Sequence, residues 1–238
     1  MKRIDGRKNN ELRKIKVTKN YIKHPAGSCL IEFGETRVIC TATVEESVPP
    51  FLRNAGKGWV TAEYGMLPGS CNSRIRRNNV SGRSQEIQRL IGRSLRNVVN
   101  TEQLGERTIK IDCDVIQADG GTRTASVTGG FIALALALKD LKKKSVLDVI
   151  PLNNYVAAIS VGTSGNDLLL DLNYEEDSTA DMDMNIVMLG NGKFVEIQGT
   201  AEGAPFSKKQ MNDLVDIAKK GISELIVIQK KVLGQLKF

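Results

Sequence analysis

Histidine is nearly missing from this chain: among its 238 residues His24 is alone. The four cysteines, Cys29, Cys40, Cys71 and Cys113, form no CxxC pair. These shortages exclude a structural zinc site and any Ser–His or Cys–His catalytic system, which need imidazole or paired thiolates. Aromatic residues make up only 5%, so the core must rest on Val, Ile, Leu and Ala. No apolar run approaches the ~20 residues of a membrane span. The first residues, 1–13, are charged and lack the apolar centre of a signal peptide. Neither a Walker A motif nor GxGxxG occurs, so ATP or dinucleotide binding is not indicated. There is no low-complexity linker and no short tandem repeat. These absences together predict a soluble, cytoplasmic protein without a membrane segment.

What is present is unevenly distributed. The hydrophobic share of 41% suits a folded globular chain, and the net charge of +7 is consistent with a polyanionic partner. Residues 1–24 hold nine Lys or Arg against two acids, a net of 9 − 2 = +7, and residues 53–96 repeat that arithmetic. Residues 167–183 hold seven acids and no base. A basic molecule with one acidic segment can bind a polyanion broadly and reserve carboxylates for a metal ion, although solvated faces explain most charge runs. The buried-alternation positions of Cys29, Cys40 and Cys113 read as buried free thiols.

Alternation predicts strands over 28–33 and 36–44, turning at Gly34–Glu35, and another over 59–64. Residues 65–82 are polar, basic and aperiodic, and read as a long functional loop. Residues 84–100 read as a helix, with Ile87, Leu90, Ile91, Leu95, Val98 and Val99 on one face and Arg89, Arg93 and Arg96 on the other. A strand over 108–115 leads through a glycine turn, 117–123, into a helix over 124–144 that is apolar nearly all round. Strands follow over 155–161, 167–172, 185–189 and 194–198, the last two joined at Asn191–Gly192. Ser207 caps a final helix to about residue 230. Strands followed by helices, in two successive halves (1–150 and 151–238), predict an α/β or α+β fold of two similar layers.

The stretch from Gln117 to Ser126 leaves a strand, turns through Gly120 and Gly121 and enters a helix. Such a start offers unpaired N–H donors and the positive end of the helix dipole to an anion. Arg123 adds a guanidinium fork that matches two phosphate oxygens, Thr122 a hydroxyl, and Arg83 a possible second guanidinium. An ordinary strand-to-helix turn with a Thr or Ser cap explains the spacing as well. Residues 175–183 hold five acids in nine positions. A pair such as Asp177 and Asp183 suits Mg²⁺, which commonly takes one or two carboxylates and keeps several waters. An acidic surface loop is the competing reading. Arg74, Arg76 and Arg77 can contact the phosphates of a polyanion or simply solvate a loop. Arg3, Arg7 and Arg13 are expected to contact that polyanion or, preferably, a neighbouring subunit.

At these residues the chain resembles the ribonuclease PH family of 3′ exoribonucleases. The segment DCDVIQADGGTRTASVTG carries the likeness, as do EFGETRVICTATVEE, GWVTAEYGMLP, SGRSQEIQRLIGRSLR, YEEDSTADMDMN and VEIQGTAEGAPFS, in order over nearly the whole length. The resemblance implies a single catalytic domain of two-layer α+β type, the ribosomal-protein-S5-domain-2-like fold, assembled as a hexameric trimer of dimers. It implies a phosphate-dependent 3′–5′ exoribonuclease that trims tRNA precursors and other RNAs to nucleoside 5′-diphosphates, reversibly, with Mg²⁺ as cofactor and inorganic phosphate as co-substrate. It places Arg83, Gly121, Thr122 and Arg123 at phosphate. It gives Asp177 and Asp183 metal-binding and catalytic roles, with the general acid unassigned between them, and leaves Asp181 as support. Arg74 and Arg77 fall on the family's RNA-binding arginines, while Gly69 stands where relatives often carry another. Hydrolysis by a metal-activated water is the rival within enzymes, but water needs no phosphate cradle. A catalytically silent RNA-binding ring subunit is the rival outside them, and the retained Arg123, Asp177 and Asp183 argue against it.

Overall fold

The computed structural model describes residues 3–77, 81–202 and 204–236. Its strands form two sheets. The first holds β1 (Ile15–Lys19), β2 (Gly27–Phe33), β3 (Thr36–Glu45), β4 (Trp59–Met66) and β5 (Thr108–Gln117), in the order β1-β2-β3-β5-β4. The second holds β6 (Val156–Ser164), β7 (Asp167–Leu170), β8 (Met182–Leu189) and β9 (Phe194–Ala201), in the order β7-β6-β8-β9. The helices are α1 (Gly82–Arg96), α2 (Thr101–Leu104), α3 (Thr122–Lys143), α4 (Tyr174–Thr179) and α5 (Lys208–Leu233). The fold is α+β, as expected.

The alternation seen in the sequence is the burial pattern. Ile109, Ile111, Cys113 and Val115 of β5 are all buried, and so are Val38, Cys40 and Ala42 of β3. Cys29, Cys40 and Cys113 lie in one register row across β2, β3 and β5, and all three are buried free thiols. This row packs under α3 at Gly129, where a Cβ would stand 2.7 Å from the Cys40 sulfur. The absence of a side chain there lets helix and sheet approach closely.

α3 contacts β2, β3 and β5 of the first sheet and β6 of the second, so it is the shared core helix. It is long and apolar enough to cross a membrane, but 83% of its apolar stretch is buried inside the protein. It also closes a gap in the second sheet. β7 pairs only with the far end of β6, and among the described residues no strand pairs with the near end on that side. There Thr128 Oγ1 accepts from the Ala158 N–H at 3.2 Å, and Gln229 Nε2 of α5 donates to the Val156 carbonyl at 2.9 Å. Buried backbone polar groups are thus paired by side chains where no strand reaches.

Four sequence expectations shift. The helix expected from residue 124 begins at Thr122, because Gly120 and Gly121 both take left-handed φ values of +70° and +64° and complete the turn earlier. The strand expected from 185 begins at Met182, so Asp183 is a strand residue paired opposite Gly162 and Thr200. Residues 174–179, for which no helix was expected, form α4, started by a capping box between Asn173 and Glu176. β1 was not anticipated at all.

Arg3 and Arg13, expected at RNA or a neighbouring subunit, are buried within the chain itself, at 2% and 5% exposure. Arg3 grips Glu176 through Nε at 2.7 Å and Nη2 at 2.5 Å. Arg13 Nη2 donates to Asp171 Oδ1 at 2.7 Å. The acidic segment attracts these guanidiniums because no solvent remains to neutralise its buried members. Arg96, on the polar face of α1, lies 4.3 Å over the Trp59 ring and donates to the Val60 carbonyl at 2.8 Å.

Candidate active site

A cleft of about 440 Å³ opens between the two halves. Its walls bring together Arg83 from α1, Gly121, Thr122 and Arg123 at the start of α3, Asp177 from α4 and Asp183 from β8. Six residues separated by up to a hundred positions thus meet at one place. Arg77 lines an adjoining groove with Arg76 and shares Arg83 with the cleft. Arg74 is exposed on the same loop but lines neither.

The start of α3 is built to face an anion. Gly121 is its N-cap and supplies no capping side chain, so the first-turn N–H groups are directed at the cleft unscreened. Thr124 Oγ1 donates to the Gly121 carbonyl at 2.9 Å. Thr122 is buried, and its Oγ1 accepts from the buried Tyr64 hydroxyl at 2.9 Å. Burial pushes the Tyr64 phenol above its ordinary range, so it remains a neutral donor. Arg123 is anchored from the second sheet: its Nη1 donates to Gln198 Oε1 at 2.6 Å and lies 3.6 Å from Glu86. Gln198 in turn donates to Glu86 at 2.5 Å. Tyr64, Gln198 and Glu86 were not picked out as site residues from the sequence. The only signal for Gln198 was its place in the VEIQGTAEG segment.

The loop beside the cleft is fastened at its base. The Ser70 carbonyl accepts from the Ala118 N–H at 2.8 Å, and the Pro68 carbonyl from Ile75 at 2.9 Å. The base of the loop is therefore tied beside the glycine turn, and Asn72, Ser73 and Ile75 line the cleft.

Across from the guanidiniums sit the carboxylates. Burial raises the Asp177 carboxyl above its ordinary value, against the opposing pull of Arg123, Arg83 and Arg13. Burial also raises Asp183, and the Asp177 charge adds to it, while Arg123 opposes. Two like charges face each other at the edge of a cationic pocket. That arrangement favours either a retained proton or a bound cation. Among the described residues no group of three or more His, Cys, Asp or Glu could hold a metal. A two-carboxylate set with water completing the shell is what Mg²⁺ commonly accepts, so the pair fits that ion. Asp181 points elsewhere: its Oδ2 accepts from the Gly165 N–H at 2.6 Å.

Comparison with known proteins agrees with this architecture. The pattern described as "3′ exoribonuclease family, domain 1" matches residues 11–140, and that described as "3′ exoribonuclease family, domain 2" matches residues 154–221. Ribonuclease PH of Bacillus cereus (strain G9842) is 57% identical over 239 residues, covering 98% of each chain. Ribonuclease PH of Bacillus anthracis matches at the same 57% and 98%. Among solved structures, the Archaeoglobus fulgidus exosome with RNA bound to the active site superposes with a TM-score of 0.81 at 21% identity, over 95% of this chain and 92% of that one. Rice (Oryza sativa) Rrp46 superposes with a TM-score of 0.80 at 17% identity, over 97% and 100%. With both domain patterns matched in order and relatives this similar over their full length, the chain belongs to the 3′ exoribonuclease family.

Proposed function

We propose that this chain is a phosphate-dependent 3′–5′ exoribonuclease that shortens tRNA precursors and other RNAs and releases nucleoside 5′-diphosphates. The observation that carries this reading is the meeting of Arg83, Thr122 and Arg123 with Asp177 and Asp183 in one cleft. A hydrolase acting through water has no use for the anion cradle at the start of α3. Phosphorolysis needs it, because inorganic phosphate must be held beside a second, equally negative phosphate.

Inorganic phosphate sits against the first turn of α3, with Arg83 and Arg123 spreading its charge. One of its oxygens attacks the phosphorus of the terminal RNA linkage, and the P–O bond to the preceding ribose 3′ oxygen breaks. That leaving oxygen takes a proton. Asp177 and Asp183 both hold protons more readily than free carboxylates, which suits either to supply it. A divalent cation, held by the same two carboxylates, would supply positive charge toward the phosphoryl oxygens. One phosphate linkage replaces another, so the reaction runs backwards with excess nucleoside diphosphate. Arg74 and Arg77 add sequence-independent grip on the RNA backbone. The assembly that fits this family is a homohexamer, a trimer of dimers, acting in the cytoplasm.

Product identity is the test. The protein is incubated with a 3′-extended RNA and Mg²⁺, with and without inorganic phosphate, and the released mononucleotides are resolved. Diphosphates that appear only with phosphate support the proposal. Monophosphates that appear regardless would mean hydrolysis and would sink it.

A further inference from the structure

The glycine turn that opens α3 is not held by its own helix alone. Gly120 presses directly on the first turn of α4: a Cβ there would stand 2.5 Å from Asn173 C, 2.7 Å from the Leu172 oxygen and 2.8 Å from Tyr174 N. Asp119 Oδ1 accepts from the Tyr174 N–H at 3.2 Å. The turn proposed to bind phosphate and the helix that carries Asp177 are therefore in backbone contact.

Two buried groups clamp this joint from behind. The fully buried Thr36 uses its hydroxyl twice, donating to the Gly120 carbonyl at 2.6 Å and accepting from the Asp119 N–H at 2.9 Å. Arg13 spans the same joint. Its Nη1 donates to the Asp119 carbonyl at 2.5 Å, while Nε and Nη2 fork onto Asp171 at 3.1 and 2.7 Å. Asp171 is fully buried and sits at φ +57°, a left-handed value uncommon outside glycine, just before α4. Its backbone is fixed as well: its N–H donates to the Ser160 carbonyl at 2.8 Å, and its carbonyl accepts from Arg3 and Arg7, each at 3.1 Å.

We propose that Thr36, Arg13 and Asp171 are positioning residues that hold the phosphate turn and the Asp177 helix in register across the two halves. This rests on the phosphorolytic reading above and adds the device that sets its geometry. None of the three lines the cleft; they act through Asp119 and Gly120, and through the chain that enters α4. A donor array misplaced by about 1 Å loses much of its hold on a bound ligand. Releasing the clamp therefore weakens phosphate before it weakens RNA, whose proposed contacts are the loop side chains Arg74 and Arg77 rather than the turn itself.

Phosphate dependence of turnover is measured on a 3′-extended RNA for wild type, Thr36→Val, Thr36→Ser, Asp171→Asn and Ile222→Ala. Thr36→Val and Asp171→Asn are expected to raise the phosphate KM about tenfold, with RNA affinity unchanged. Thr36→Ser keeps the hydroxyl and should keep the wild-type KM. Ile222 is buried in α5, away from the cleft, so its truncation should lower Tm and leave the phosphate KM alone. A phosphate KM within about twofold of wild type in both Thr36→Val and Asp171→Asn would overturn the proposal. So would an equal rise in Ile222→Ala, which would mean loss of stability alone. Asp171→Asn leaves Arg13 without its counter-charge; where it does not fold, Thr36→Val removes no charge and decides. Wild type that releases no diphosphates removes the phosphorolytic reading itself, whereas active wild type with unshifted variants removes only the clamp.

Discussion

At the scale of single residues, the two aspartates carry the sharpest expectations. Asp183→Asn keeps size and removes the charge and the titrating proton. Turnover should fall at least about 100-fold, while RNA binding measured by filter retention stays near wild type. Unchanged turnover would mean that another group supplies the proton. The same variant tests the electrostatics. Burial and the Asp177 charge raise Asp183, so the folded state binds its proton more tightly than the unfolded chain does. Stability is then lost as pH rises from the ordinary carboxylate range through the raised value, the reverse of a salt-bridged aspartate. At neutral pH without divalent cations, Asp183→Asn should melt above wild type, and Mg²⁺ should raise the wild-type Tm more than the variant's. A lower melting point for the variant in both conditions would contradict this reading. Tyr64→Phe removes one buried donor to Thr122 with little change in volume. It should cost about 1 kcal/mol in urea unfolding and raise the phosphate KM several-fold. No change in KM would mean that Thr122 does not need the phenol to keep its orientation.

At the scale of elements, legibility followed the strength of the local signal. α1 was readable because Ile87, Leu90, Ile91 and Leu95 repeat at helical spacing, and each is buried. β5 was readable because its alternation is strict. α4 was missed because it has only six residues and a polar sequence, with no apolar period to find. Its signature was the capping box alone, Asn173 with Glu176 three positions on. β1 was missed because its Lys residues face water and its burial is only partial. The apolar character of α3 said that it was central, but not that it would close the open side of β6, since that depends on where β7 stops. Two substitutions probe these elements. Gly129→Ala gains helix propensity, roughly 1 kcal/mol, but pushes a methyl to within 2.7 Å of Cys40 and Ile31. Overpacking of this kind costs about 1–3 kcal/mol, so net destabilisation is expected in urea melts. Stabilisation would show that the sheet yields easily beneath α3. Asn173→Ala removes the α4 cap and should cost about 1 kcal/mol. Because Asp177 sits in that short helix, activity should fall more than stability does.

At the scale of the whole molecule, the charge runs at 1–24 and 167–183 meet in the interior through Arg3, Arg7 and Arg13 on one side and Asp171 and Glu176 on the other. Arg3 and Arg13 neutralise Glu176 and Asp171 in the interior, so these two arginines face the protein's own acids rather than RNA. Only the fold could show this, because the partners lie more than a hundred and fifty positions apart. The exposed cations beside the cleft, among the described residues of this segment, are Arg74, Arg76, Arg77 and Arg83. This division makes a prediction about salt. Each phosphate contact by a cation on single-stranded RNA contributes a slope of about −0.7 to log K against log salt. Replacing Arg74 and Arg77 together by Ala should therefore flatten that slope by roughly 1.4 units, for all RNA sequences alike, with Tm unchanged. Arg3→Ala should do the opposite. It leaves Glu176 buried without its partner, which costs about 3–5 kcal/mol of stability, yet the salt slope should stay at the wild-type value. Titrations of a fluorescent RNA across a salt series, paired with thermal melts, separate the two. A flattened slope in Arg3→Ala would place the N-terminal arginine on the RNA after all. An unchanged slope in the double variant would take Arg74 and Arg77 off the RNA path and leave Arg76 and Arg83 as the cations that carry it.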